Sequence, residues 1–117
     1  MQRQIEKDEI TEWVQRLSKA AESSEKNAGL VDDLVRYATK PRRQRVIVNL
    51  NKLQKYVKDN ESIVVPGKVL GVGRVSRAFN LAAIEFSGSA VEKLKGSKCK
   101  IVDVEEIVRK GNFRIII

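Results

Sequence analysis

Apolar residues recur at three- and four-residue steps at the start of the chain: Ile10, Trp13, Val14, Leu17, Ala20 and Ala21. That spacing predicts an amphipathic helix over 8–22. Asp8 suits its N-cap, and Glu9 and Glu12 suit the positive end of the helix dipole. ESSEKN at 22–27 reads as a break. Leu30, Val31, Leu34, Val35 and Ala38 make a second stripe, a helix over 29–39. Pro41 stops it, because the residue before a proline avoids helical angles. Trp13 reads as a core anchor between the two helices rather than as a binding platform.

From residue 46 the period changes. VIV at 46–48 reads as a short buried strand and LNKLQKYV at 50–57 as a two-turn helix. At about 100° per residue, Leu50, Leu53 and Val57 share one side of that helix. Lys52, Lys55 and Lys58 centre on the opposite side, and Tyr56 lies between. DNES at 59–62 is a turn, SIVV at 62–65 a strand ended by Pro66-Gly67, and KVLGVG at 68–73 a second strand closing at glycines. Residues 78–86 read as a third strand, with Ala82, Ala83 and Ile84 as a fully buried centre. A helix over 90–95 starts at Ser87 or Ser89 as cap, KIV at 100–102 is a strand, and Asp103 caps a helix over 104–110 that Gly111 ends. FRIII at 113–117 is a terminal strand. The pattern predicts a small single α/β domain of irregular strand–strand–helix units with two N-terminal helices and mixed strand pairing. The elements are short for a full doubly wound sheet. The expected division is a helical part over 1–39 and an α/β core over 40–117 within one domain, 1–117.

Charge changes the picture more than composition does. The 117 residues carry 23 Lys and Arg against 15 Asp and Glu, a net charge of +8. Residues 1–39 are net −2 and residues 78–117 net +2, so residues 40–77 alone hold +8, from ten cations and two acids. Lys40, Arg42, Arg43 and Arg45 fall within six residues. Like charges repel, so folding gains nothing from this density. A focused basic field attracts polyanions, nucleic acid before membrane, and arginine forks onto phosphate in bidentate geometry. The chain has no apolar run of about 18 residues, the length a membrane span needs. MQRQIEKDEI lacks an apolar leader centre, and a single cysteine, Cys99, fits a reduced, cytosolic protein.

Candidate chemistry is sparse. With no histidine, the commonest general base and metal ligand is missing. Cys99 has no second cysteine for zinc. Glu85, Asp103, Glu105 and Glu106 show no paired spacing. Gly71 and Gly73 begin a dinucleotide-type loop but lack its third glycine and its long helix, and Gly67-Lys68 lacks the other residues of a phosphate loop. These glycines read instead as turns between strands or as points of close backbone approach.

KPRRQRVIVNLNKLQKY, then IVVPGKVLGVG, LAAIEFSGSAVEKL and FRIII together resemble the archaeal–eukaryotic large-subunit ribosomal protein family eighteen-e, a relative of the bacterial large-subunit protein fifteen. The blocks KPRR, VNL, VVPGKVLG and FSGSA occur in the family's order and spacing from about residue 8 to the end. The short chain looks archaeal. The resemblance implies an irregular coil of strand–strand–helix units. It also implies a cytoplasmic, non-enzymatic constituent of the large ribosomal subunit, with no cofactor and no bound metal, membrane or DNA. Its partners would be large-subunit ribosomal RNA and neighbouring ribosomal proteins. The family's basic block falls here on Lys40, Pro41, Arg42, Arg43 and Arg45, its strand-to-helix junction on Val48, Asn49 and Leu50, and its glycine corners on Pro66, Gly67, Lys68, Gly71 and Gly73. Relatives tend to finish with a basic residue after the last strand, whereas this chain ends in three isoleucines.

Such a protein binds by neutralising phosphates and releasing counterions, and with few aromatics it reads RNA shape rather than bases. The candidate contacts are first Lys40, Arg42, Arg43 and Arg45, then Lys52, Lys55 and Lys58, then Lys68, Arg74 and Arg77. Asn49 is a possible donor to a backbone or ribose oxygen, with a local turn role as its equal alternative. Two rivals are an RNA-binding translation or ribosome-assembly factor and a small nucleotide-binding enzyme.

Overall fold

The computed structural model describes residues 7–22 and 28–117. The N-terminal helices are α1 (Lys7–Ala21) and α2 (Ala28–Ala38). Asp8 lies within α1 rather than ahead of it, and its side chain lies outside the described residues, as does most of the break at 22–27. After Pro41 a single 3-10 turn, Arg42–Gln44, leads into β1 (Val46–Asn49) and directly into α3 (Leu50–Tyr56). Then come β2 (Ser62–Leu70), β3 (Asn80–Phe86), α4 (Gly88–Lys95), β4 (Lys100–Ile101), α5 (Val104–Lys110) and β5 (Arg114–Ile115).

The expected α/β class holds, with two corrections. Pairing is not mixed: the sheet runs β1-β2-β3-β4 with β5 also on β2, and every pair is parallel. Since β3 takes one edge of β2, β1 and β5 share the other, β5 at Ile63 and Val64 and β1 from Gly67 to Leu70. The second correction concerns Pro66-Gly67, expected to separate two strands. Residues 62–70 form one continuous strand, and the proline, lacking an N–H, sits where the ladder to β3 slips between Val65 and Lys68. Gly67 serves the opposite edge. A Cβ there would lie 2.0 Å from the carbonyl oxygen of Val46, so β1 pairs only because residue 67 has no side chain.

Both faces of the sheet are covered. On one, Ile10, Trp13 and Leu17 of α1 and Val31 and Leu34 of α2 pack with α5 over Val64 and Ala82. Trp13 is buried there, an anchor between helices as its spacing implied. On the other face, Leu50, Leu53 and Val57 join Ala90 and Leu94 of α4 over Ile63, Val65, Val69 and Leu81. In β3 only Ala82 of the expected buried centre is fully enclosed, while Ala83 and Ile84 are half-buried, because the strand lies near short β4. Ser87 caps α4, its hydroxyl accepting from the Ala90 N–H at 3.2 Å. Asp103 occupies the N-cap of α5 without a side-chain cap bond, and Gly111 ends that helix in the left-handed region, at φ 78°.

The link from β2 to β3 has no helix. Residues 71–79 must carry the chain from the C-terminal end of β2 back to a strand that starts beside Ser62. Eight strand steps cover about 26 Å, and ten steps of nearly extended chain reach only about 35 Å. That leaves roughly a quarter of the reach as slack, and the segment lies along α3, held there by specific bonds. The Asn51 N–H donates to the Val72 carbonyl at 3.0 Å, the Gln54 amide exchanges two bonds with Ser76 (2.8 and 2.9 Å), and the Arg77 guanidinium donates to the Val57 carbonyl. At its end Phe79 is buried in the core beneath α3 and α4.

Two glycine substitutions should separate close approach from free space. Gly67→Ala is expected to destabilise the protein by about 3 kcal/mol, because the methyl collides with backbone that β1 cannot withdraw. Gly29→Ala, at a helical position with nothing within 4 Å, should stabilise it by about 0.5–1 kcal/mol. Chemical denaturation of the two variants measures both.

Candidate nucleic-acid interface

The basic block forms a turn stiffened by the backbone itself. The Gln44 N–H donates to the Pro41 carbonyl at 2.8 Å, and Arg45 Nε donates back to the Lys40 carbonyl at 3.3 Å. Lys40 Nζ stands 5.0 Å from the centroid of the Tyr37 ring, which also carries the Arg36 guanidinium at 5.4 Å. Two cations on one ring are held by its negative quadrupole despite their mutual repulsion. Arg43 is exposed. The backbone of Arg42 belongs to the 3-10 turn, and its side chain lies outside the described residues.

Helix α3 divides its residues as the spacing implied. Leu50 and Leu53 are wholly buried, and Lys52 and Lys55 are exposed on the other side. Val57, expected in the helix, is its extended C-cap and also buried, so Lys58, though exposed, lies beyond the helix rather than on its face. Tyr56 is half exposed, with Lys55 Nζ 5.4 Å from its ring centroid. Lys52 donates to the carbonyl of Ile117. Two guanidiniums close the C-terminal end of α3, Arg114 donating to Tyr56 O and Arg77 to Val57 O. They meet the negative end of the helix dipole. Asn49 is the N-cap of α3 but makes no side-chain cap bond, and its Oδ1 is buried with no hydrogen-bond partner among the described residues.

The third group of candidates is split by the structure. Arg74 is exposed early in the link from β2 to β3, whereas Arg77 is half-buried and bonded to the Val57 carbonyl at the end of α3. Lys68 is 8% exposed and sits in register with Glu85 across β2 and β3, on the wall of a cleft of about 480 Å³. The ion pairs Arg16–Glu12, Arg36–Asp33 and Arg114–Glu61 use cations outside the candidate set. Among the described residues, Arg43, Lys58 and Arg74 form no side-chain ion pair. Lys40, Arg43 and Arg45 thus lie in the link between α2 and β1, the lysines Lys52 and Lys55 on α3 after β1, and Arg74 in the link after β2.

Gly71 and Gly73 are points of close approach, not a phosphate loop. A Cβ on Gly71 would lie 2.2 Å from Ser89 Oγ, and one on Gly73, whose φ is 105°, would lie 1.9 Å from Asn51 Oδ1. The turn is wedged between the starts of α3 and α4. Sequence reasoning missed the residues that fasten it. Lys93 Nζ donates to the carbonyls of Gly71 (2.6 Å) and Gly73 (3.0 Å), and Gln54 grips Ser76. Nothing in the local pattern marks either residue, since each partner is about 20 positions away.

Comparison with known proteins finds relatives among archaeal ribosomal proteins. The chain is 41% identical over 87 residues to large ribosomal subunit protein eL18 of Thermoplasma acidophilum, covering 74% of this chain and 72% of that one. It is 36% identical over 91 residues to eL18 of Archaeoglobus fulgidus, covering 78% of each. With eL18 of Pyrobaculum aerophilum it shares 36% identity over 105 residues, 86% of this chain and 84% of that one. No family model matches the chain.

Other chemistry is thin. Among the described residues no group of three His, Cys, Asp or Glu could hold a metal ion, and no helix is long and apolar enough to cross a membrane. Cys99 is buried, and desolvation pushes its thiol from 9.0 up to about 12. The unfolded chain ionises this group first as pH rises. The stability it contributes is therefore complete below about pH 9 and is lost as pH climbs toward 12. At pH 8 a thiol reagent should leave the native protein almost unlabelled and label it fully in denaturant; rapid native labelling would contradict this burial.

Proposed function

The chain belongs to the eL18 family of large ribosomal subunit proteins, and on that premise we propose that it is a structural constituent of the large subunit that binds and stabilises folded ribosomal RNA through its basic side. The observation that carries this reading is the division of α3. Its apolar side is sunk in the core, so the lysines opposite are displayed from a rigid base. The basic turn before β1 and Arg74 after β2 extend that surface. Phosphates of RNA segments that would otherwise repel are bridged by these cations. Affinity comes from counterion release, and specificity from the shape of the folded RNA.

In this reading residues 1–117 act as one domain in the cytoplasmic ribosome. Helices α1 and α2 of the N-terminal part, with α5, cover the far face of the sheet, and the basic side of the core over 40–117 faces RNA. Lys40, Arg42, Arg43 and Arg45 contact phosphates first, supported by Lys52, Lys55, Lys58 and Arg74. Arg77 serves mainly to hold the local backbone. Asn49, whose side chain makes no cap bond, donates to a ribose or backbone oxygen of the RNA, and Lys68 contributes from the cleft wall. Neighbouring ribosomal proteins complete the surroundings. Sedimentation of subunits in high salt distinguishes a resident protein, which stays with the large subunit, from a visiting factor, which is stripped off.

Replacing the exposed residues Arg43, Lys55 and Arg74 together with alanine tests the surface. Each change should alter folding stability by no more than about 0.5 kcal/mol, because none packs in the core. Affinity for ribosomal RNA should fall, and the slope of log affinity against log salt should flatten by roughly 0.7–0.9 for each phosphate no longer neutralised. Filter binding across a range of about 50 to 200 mM salt reads the slope, and an unchanged slope would move the binding surface elsewhere.

A further inference from the structure

We infer that Gln54 and Lys93 are positioning residues for RNA binding. They hold the segment over 71–78 in its bound path, so that Arg74 meets phosphate without prior ordering of its loop. This rests on the ribosomal RNA reading above and deepens it. Arg74 is the exposed cation of the crossover, and alone it would sweep a wide volume on a loop. The structure fixes it from both sides in sequence. Ahead of it, Lys93 gathers two carbonyls, Gly71 O and Gly73 O, onto one ammonium. Behind it, the Gln54 amide satisfies both the N–H and the hydroxyl of Ser76. Wedging of Gly71 against Ser89 and of Gly73 against Asn51 removes the remaining slack.

The geometry is that of a clamp. Gln54 carries no charge, and both of its bonds are spent on Ser76. Lys93 is a cation, but its ammonium is turned onto protein carbonyls. Ordering a free loop on binding costs affinity, and preordering removes that cost. The effect of losing either clamp must therefore pass through the residue it holds. A phosphate contact of its own would act independently.

A double-mutant cycle on binding to deproteinised archaeal large-subunit ribosomal RNA tests this. Gln54→Ala and Lys93→Met should each weaken binding about five- to tenfold, the cost of ordering the loop on binding and less than the loss of a whole charge-assisted contact. In an Arg74→Ala background both should have almost no effect. Gln54→Ala should leave the salt slope unchanged, and Arg74→Ala should lower it by roughly 0.7–0.9. Lys95→Met, on the same helix and exposed, controls for loss of one charge and should not depend on Arg74. Faster amide exchange over 72–78 in the two clamp variants, with the thermal midpoint still above the assay temperature, shows a freed loop on an intact fold. If one clamp variant fails to fold, the other carries the test from the opposite end. Equal losses in both backgrounds, or a flattened slope in Gln54→Ala, overturn the inference while leaving the RNA reading standing. Absence of salt-dependent binding by the unaltered protein overturns the RNA reading itself, and the inference with it.

Discussion

A parallel crossover made without a helix constrains this molecule more than any other feature. Nine residues separate Leu70 from Asn80, and they must retrace almost the whole of β2. With roughly a quarter of its reach to spare, such a link could leave the surface it crosses, so its path is set by the bonds it makes to what lies beneath. What lies beneath is α3, itself a crossover of seven residues running in the same sense. Two isolated turns of helix are unstable in water, because nucleation costs more than so few bonds return. Burial of Leu50, Leu53 and Val57 on one side and the bonds to Val72, Ser76 and Arg77 on another compensate. The helix and the crossover hold each other in place, and what remains to face outward is the lysine side.

That arrangement accounts for dense charge so close to a core. Repulsion among cations destabilises a compact state. It is tolerable here because the side chains point away from a base that burial has already made rigid. On the far side of the sheet, α1, α2 and α5 supply the second half of the core and carry the ion pairs of Arg16 with Glu12 and Glu105.

Local pattern was enough for the elements whose determinants are local. The spacing of Leu50, Leu53 and Val57, the Ser87 cap, the left-handed Gly111 and the buried Trp13 could all be read from neighbours in sequence. Pro66-Gly67 misled for a physical reason. That pair normally means a turn, but here each residue answers a different edge of one strand. The proline sits where the ladder to β3 slips, and the glycine admits the backbone of β1. Both causes lie on other strands, far from the pair in sequence. Parallel pairing was illegible for the same reason, since the nine-residue link looks like a hairpin connection in length. Among the candidate contacts, the exposure of Arg43, Lys55 and Arg74 followed from sequence, whereas the burial of Lys68 depended on its register with Glu85 and Ile47.

Several internal bonds of the cations share one form. Arg45, Arg77 and Lys93 each donate to backbone carbonyls, of Lys40, Val57, and Gly71 with Gly73 respectively, and Arg114 donates to that of Tyr56 while also pairing with Glu61. Short elements leave many carbonyl groups without a partner in a ladder or helix, and a buried one left unmade is costly. A carboxylate partner would fasten the same side chain but cancel its charge. A carbonyl oxygen fastens it and leaves the full positive charge in the field. Arginine keeps further N–H groups for a second acceptor. A protein that must stay strongly basic while holding irregular loops still therefore gains by tying its cations to its own backbone. By this means loop order and an attractive field for polyanions come from the same side chains.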